Sequence, residues 1–192
     1  ASGYIAVMSL LSIAPASIKP TALVLNILAA SIGTWQFWRA GYFSWRLFWP
    51  FSILSIPLAF LGGYISLPAD ILKLILGMVL LYSAAHFFLR PPQEMESKTP
   101  PRGLAIFIGG GIGFLSGLTG TGGGIFLTPL LLLMNWAPAR NAAAVSALFI
   151  LVNSIAGLLG NISSTRQFPA FALVLVVAAG VGGIIGSYLG SH

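Results

Sequence analysis

The chain contains no cysteine and only three acidic residues, Asp70, Glu94 and Glu96. Without cysteine there are no disulfides and no thiolate metal sites, and the redox compartment stays open. No acid falls in the middle of an apolar run, so a carboxylate proton relay or carboxylate cation site is unsupported. Charge of either sign is scarce, at 6% of 192 residues, where soluble domains carry about 25%. The nine basic residues stand singly between apolar runs. A net charge of +6 therefore does not form the basic face that nucleic acid requires. The sequence calls for no cofactor and no metal.

Apolar length is what the chain has in abundance. It is 57% hydrophobic with a mean hydropathy of +0.97, and several runs reach the 18 or so residues that cross about 30 Å of hydrocarbon. The alternation of a β-barrel is absent. The expected class is all-α: a polytopic helical integral membrane protein. Residues 21–38 form the first full span, bounded by Lys19 and Arg39, and 47–67 the second, with Pro57 as a kink. Residues 71–89 form the third, N-capped by Asp70, and 141–161 and 168–189 the last two. Residues 4–14 are too short to cross and read as part of an element that begins upstream. Trp35, Trp38, Trp45 and Trp49, with Tyr42, form an aromatic belt at one membrane edge.

The segment 90–103 (RPPQEMESKTPPRG) is the one hydrophilic linker and divides a first membrane repeat, 1–89, from a second, 104–192. If 104–134 crosses once, Arg39, Arg46, Arg90, Lys98, Arg102 and Arg166 share one side, and Lys19, Lys73 and Arg140 the other. That bias puts the linker in the cytoplasm. Two copies of one unit are visible: 19–26 aligns with 146–153, pairing Asn26 with Asn153, and 61–64 with 185–188. On this count paired elements point the same way, giving two parallel repeats. The first copy lacks its beginning and the second its end, so a longer protein is expected.

The chemistry concentrates in residues 117–124 (GLTGTGGG), inside the uncharged run 104–134. Glycine costs about 1 kcal/mol relative to alanine in a helix, so Gly120, Gly122, Gly123 and Gly124 should break any helix passing through. Broken backbone at membrane depth persists only when buried in protein or lining a cavity, and in transporters such breaks mark the substrate site. Free N–H groups and the positive end of the following half-helix favour an anion, and Thr119 and Thr121 add hydroxyl donors. The bland alternative is a kink packed against a neighbour. A dinucleotide loop does not fit, since no strand precedes it and no Lys-Ser/Thr follows. Asn26 and Asn153 are amides within apolar spans that must face the interior, as helix–helix ties or as part of a polar pathway. Ser31, Thr34, Gln36, Ser146 and Ser154 fall on the same route. Gly109, Gly113 and Gly117, like Gly182, Gly186 and Gly190, recur every four residues and read as packing surfaces. His86 reads as an interfacial histidine.

The runs 113–133 (GFLSGLTGTGGGIFLTPLLLL), Trp136-Ala137-Pro138 and 142–161 (AAAVSALFILVNSIAGLLGN), with 18–47 in the first half, resemble the sulfite exporter TauE/SafE family. The resemblance implies a multi-pass protein of the bacterial inner membrane with two related halves. Its members are associated with export or uptake of small anions such as sulfite, thiosulfate or sulfonates. The family motif falls on Gly120, Thr121, Gly122, Gly123, Gly124 and Pro129, and on Ser146, Asn153 and Ser154. In the first repeat only Ser2-Gly3 stands at the glycine motif. The expected function is a permease for a small anion, with the lipid bilayer as its surroundings and homo-oligomerisation open. A non-transporting scaffold is the first alternative. An intramembrane serine hydrolase using Ser116 and His86 is the remote one.

Overall fold

Apolar runs in lipid fold as helices because a helix satisfies its backbone N–H and C=O groups within one segment. The computed structural model describes residues 15–65, 81 and 99–166. In them α1 runs Pro15–Arg39, α2 Trp45–Tyr64, α3 Arg102–Thr119, α4 Gly124–Leu133 and α5 Ala139–Thr165. Four of these are long and apolar enough to cross a membrane, and α4 is a shorter apolar helix. Residues 4–14, 71–89 and 168–189, the Asp70 cap, His86, most of the linker and the Gly182–Gly186–Gly190 ladder lie outside the described residues.

Glycine sets how the long helices meet. Gly109, Gly113 and Gly117 of α3 lie against the backbone of Phe51, Ser55 and Ala59 of α2, and a Cβ at any of them would overlap a carbonyl oxygen. Gly160 of α5 meets Phe60 of α2 in the same way, and Gly63 meets Gly157. Numbers rise together in the α2–α3 contacts, and also from Ser55–Asn153 to Phe60–Gly160 between α2 and α5, so the three helices are parallel. Close backbone approach replaces the hydrophobic drive that lipid cannot supply. Below these contacts Phe51, Phe149, Leu127, Leu131 and Trp136 form the buried core, with the Phe51 and Trp136 rings 5.9 Å apart.

α1 runs against that set. Its Leu23 packs near Gly157 of α5, whereas Tyr42, just past its end, accepts a hydrogen bond at its carbonyl from Asn141 Nδ2 at 2.9 Å. α1 therefore starts where α5 ends. The helices that carry Asn26 and Asn153 are antiparallel, which corrects the expectation that this matched pair points the same way.

The cause is the segment 104–134, which does not cross once. α3 stops at the glycines and α4 turns back along α5: Gly124 sits by Ile150, and Thr128 Oγ1 donates to Ser146 Oγ at 2.8 Å. Ten residues span about 15 Å, half of a bilayer's hydrocarbon. The chain then re-emerges through Met134–Pro138 at the end where α3 began. Arg140 accordingly joins Arg39, Arg46 and Arg102 at one end, its guanidinium donating to the Tyr42 hydroxyl and lying 5.2 Å from that ring's centre. Arg166, at the C-cap of α5, belongs to the opposite end. The expected division of charges is corrected for both.

Candidate functional site

Three glycines in the left-handed region make the break. Gly120 has φ +74°, Gly122 +75° and Gly123 +81°, conformations that cost other residues strain. Gly120 N–H closes α3 on the Ser116 carbonyl at 2.9 Å, and α4 starts at Gly124. Residues 119–124 are all buried. Among the described residues no hydrogen bond is made by the N–H groups of Thr121, Gly122 or Gly123. The first N–H groups of α4 lack intrahelical partners in any case, and they carry the positive end of its dipole.

Neighbouring helices close over this turn. Asn26 Nδ2 of α1 donates to the Gly120 carbonyl at 3.0 Å, satisfying an end carbonyl of α3. The Thr119 hydroxyl donates to the Leu115 carbonyl at 2.7 Å and lies 2.9 Å from the Thr121 hydroxyl. A Cβ on Gly122 would fall 2.7 Å from Ile150 Cγ2, 2.8 Å from Ser154 Oγ and 3.3 Å from Asn26 Nδ2. Ser154 Oγ is fully buried and has no hydrogen-bond partner among the described residues.

Of the residues singled out in the sequence, Thr119 to Gly124, Asn26 and Ser154 thus meet at one place. Ser146 sits one turn away, bonded to Thr128 and beside Gly124. Asn153 faces elsewhere: it accepts the Ser55 hydroxyl of α2 and donates to Phe149 at 2.9 Å. It ties α2 to α5, and among the described residues it makes no hydrogen bond to the break, where it was expected.

Lys19 is the residue that sequence reasoning misread. It lies within α1, not before it, and its ammonium donates to the carbonyls of Gly62, Gly63 and Ile65 at 3.0–3.1 Å. A cation there neutralises the C-terminal end of α2, while the Lys19 backbone abuts Gly120. The signal was faint: a lysine one residue before Pro20 reads as a loop, yet proline is tolerated in membrane helices. The hydroxyls of Ser55 and Thr128 were also missed. Ser116 is buried with an unpartnered hydroxyl, and the His86 proposed as its base lies outside the described residues.

A cavity of about 380 Å³ opens at the arginine end, lined by Ser44, Arg46, Arg102, Trp136, Pro138 and Asn141 among others. None of the break residues lines it. The two features sit at opposite ends of α4.

A family model described as "Sulfite exporter TauE/SafE" matches residues 1–192. A Sinorhizobium fredii protein named as a probable membrane transporter is 44% identical over 197 residues, which cover all of this chain and 80% of that protein. A Methanocaldococcus jannaschii protein of the same description is 27% identical over 154 residues, 77% of this chain and 56% of its own length. In Bacillus subtilis another such protein is 36% identical over 76 residues, 40% of this chain and 28% of its own. No solved structure matches the chain.

Proposed function

The chain belongs to the sulfite exporter TauE/SafE family, and from that premise we propose a permease that moves a small anion such as sulfite, thiosulfate or a sulfonate. As a member it is a multi-pass membrane transporter, placed in the bacterial inner membrane. The substrate site is the break. The anion sits at the start of α4, held by the N–H groups of Gly122 to Gly124 and by the hydroxyls of Thr121 and Ser154. Asn26 positions the turn through Gly120. Uncharged donors suit a transported anion, since they stabilise it at depth without a fixed cation that would oppose release. The arginine end is the cytoplasmic one by loop charge. Access alternates as α4 and its neighbours rock against α1 and α2 around the break.

The observation that carries this reading is the Ser154 hydroxyl, buried and unpartnered beside Gly122. Most buried hydroxyls are bonded; Thr21, Thr34 and Ser116 are also left open among the described residues, and it is the position of Ser154 against the broken turn that supports a guest there. Ser154→Ala removes the donor without adding bulk. Anion flux into proteoliposomes should show an apparent affinity about tenfold or more weaker, the worth of a hydrogen bond to a charged group. Stability should stay within about 1 kcal/mol or rise, because an unsatisfied group is lost. Unchanged affinity in a protein that carries anion normally would remove Ser154 and the break from the site. Wild-type protein that moves no anion would favour the scaffold.

A further inference from the structure

Three parallel helices open at the 380 Å³ cavity: α2 at Ser44 and Arg46, α3 at Arg102, α5 at Pro138 and Asn141. That size falls within the range of small-molecule sites, about 300–1,000 Å³. Trp136, buried, supplies a flat apolar wall. None of the three helices has an acidic residue in its first turn, and none has a side-chain N-cap bond. Among the described residues neither Arg46 nor Arg102 makes a hydrogen bond or ion pair, while Arg140 beside them is held by Tyr42.

Two guanidiniums that have no partner among the described residues line this hollow, an arrangement suited to something negatively charged. Guanidinium is a donor-only, forked group matched to oxyanions. We propose that this cavity is a second anion site, distinct from the break, which binds a group bearing several equivalent oxygens: a sulfate-, sulfonate- or phosphate-like head. Arg46 and Arg102 grip its oxygens, Ser44 and Thr99 add hydroxyls, and the three helix N-termini add their partial charge. The guest comes from solution or is the headgroup of an anionic lipid, since the cavity lies at a helix-end level where both are present. The binding stands without the transport reading. Only its use as a loading station for the break, reached along α4, rests on that reading.

Sulfate titrated calorimetrically into the full chain in phosphatidylcholine nanodiscs, at constant low ionic strength, tests the site. Wild-type protein should bind sulfate, and Arg46→Gln with Arg102→Gln should weaken it about tenfold or more, the loss expected for two charge-assisted contacts. Arg46→Lys with Arg102→Lys keeps the charge but loses the fork, and should weaken binding less than the glutamine pair does, which separates a lost site from a lost fold. Ser154→Ala should leave this binding in place. Repeating the titration in phosphatidylglycerol nanodiscs decides the source: abolished sulfate binding assigns the site to a lipid headgroup, retained binding to a soluble anion. Absence of sulfate binding in phosphatidylcholine overturns the proposal. So does a glutamine double variant that binds as tightly as wild type, or binding that vanishes with Ser154→Ala and survives loss of both arginines.

Discussion

At the break every residue from 119 to 124 is buried and every donor uncharged, and a single added methyl at Gly122 meets three neighbours. One ten-residue helix away, the cavity is roomy, partly exposed and faced by two arginines. The contrast follows from solvation. A fixed charge at bilayer depth costs about 2.5–3.5 kcal/mol on insertion scales, and the cost fades toward the interface. Full charge therefore belongs where water still reaches, and dipoles where it does not. On the proposed reading, an anion drawn by arginines at the rim and held by amides and hydroxyls within would meet attraction that weakens with depth.

The sharpest way to break this contrast is to fill the turn. Gly122→Val adds bulk at φ +75°, where a Cβ already falls 2.7 Å from Ile150 Cγ2 and 2.8 Å from Ser154 Oγ. Strain and overpacking together should lower stability by about 2–4 kcal/mol and stop anion flux. Sulfate binding at the arginine cavity should persist in the protein that still folds. Flux at wild-type rates would mean that the turn is packing only.

Lys19 lies on the far side of the break from the arginine cavity, its backbone against Gly120 and its ammonium already committed to carbonyls. Lys19→Met leaves the C-terminal end of α2 uncompensated and should cost about 1–3 kcal/mol in thermal or denaturant unfolding. Apparent anion affinity should change less than it does in Ser154→Ala. A larger loss of affinity than of stability would instead place the ammonium on the substrate.

Much of this was legible in the residues. Apolar length gave α1, α2 and α5 to within a few residues at most ends: 21–38 against Pro15–Arg39, 47–67 against Trp45–Tyr64, 141–161 against Ala139–Thr165. The glycine cluster gave the break, because four glycines in five positions state a backbone requirement that no neighbour can override. The direction taken after the break was not legible. Thirty-one uncharged residues serve equally for one kinked crossing or for a hairpin, and hydropathy measures length, not heading. What turns α4 back is its packing along α5, through Ile150 by Gly124 and Thr128 on Ser146. The same blindness to partners misplaced Asn153. An amide in an apolar helix must find hydrogen bonds, but nothing in its sequence context says that Ser55 of α2 provides one. Lys19 was read as the end of a span for a related reason, since its three carbonyl acceptors lie more than forty residues away.

Ionic strength separates the two proposed anion sites by the smallest but cleanest margin. Raising an inert salt from about 0.01 M to 1 M shortens the screening length from about 30 Å to 3 Å. Arg46 and Arg102 are solvent-exposed, so the factor by which their replacement weakens sulfate binding should shrink several-fold across that range. Ser154 is fully buried, and a hydrogen bond inside a water-excluded turn feels little of that screening. The factor by which Ser154→Ala weakens apparent affinity in flux assays should therefore be the same in both salts. If the serine effect fades with salt as the arginine effect does, the hydroxyl is acting on capture at the rim and not on the guest at depth. The division between a charged mouth and an uncharged interior would then have to be drawn elsewhere.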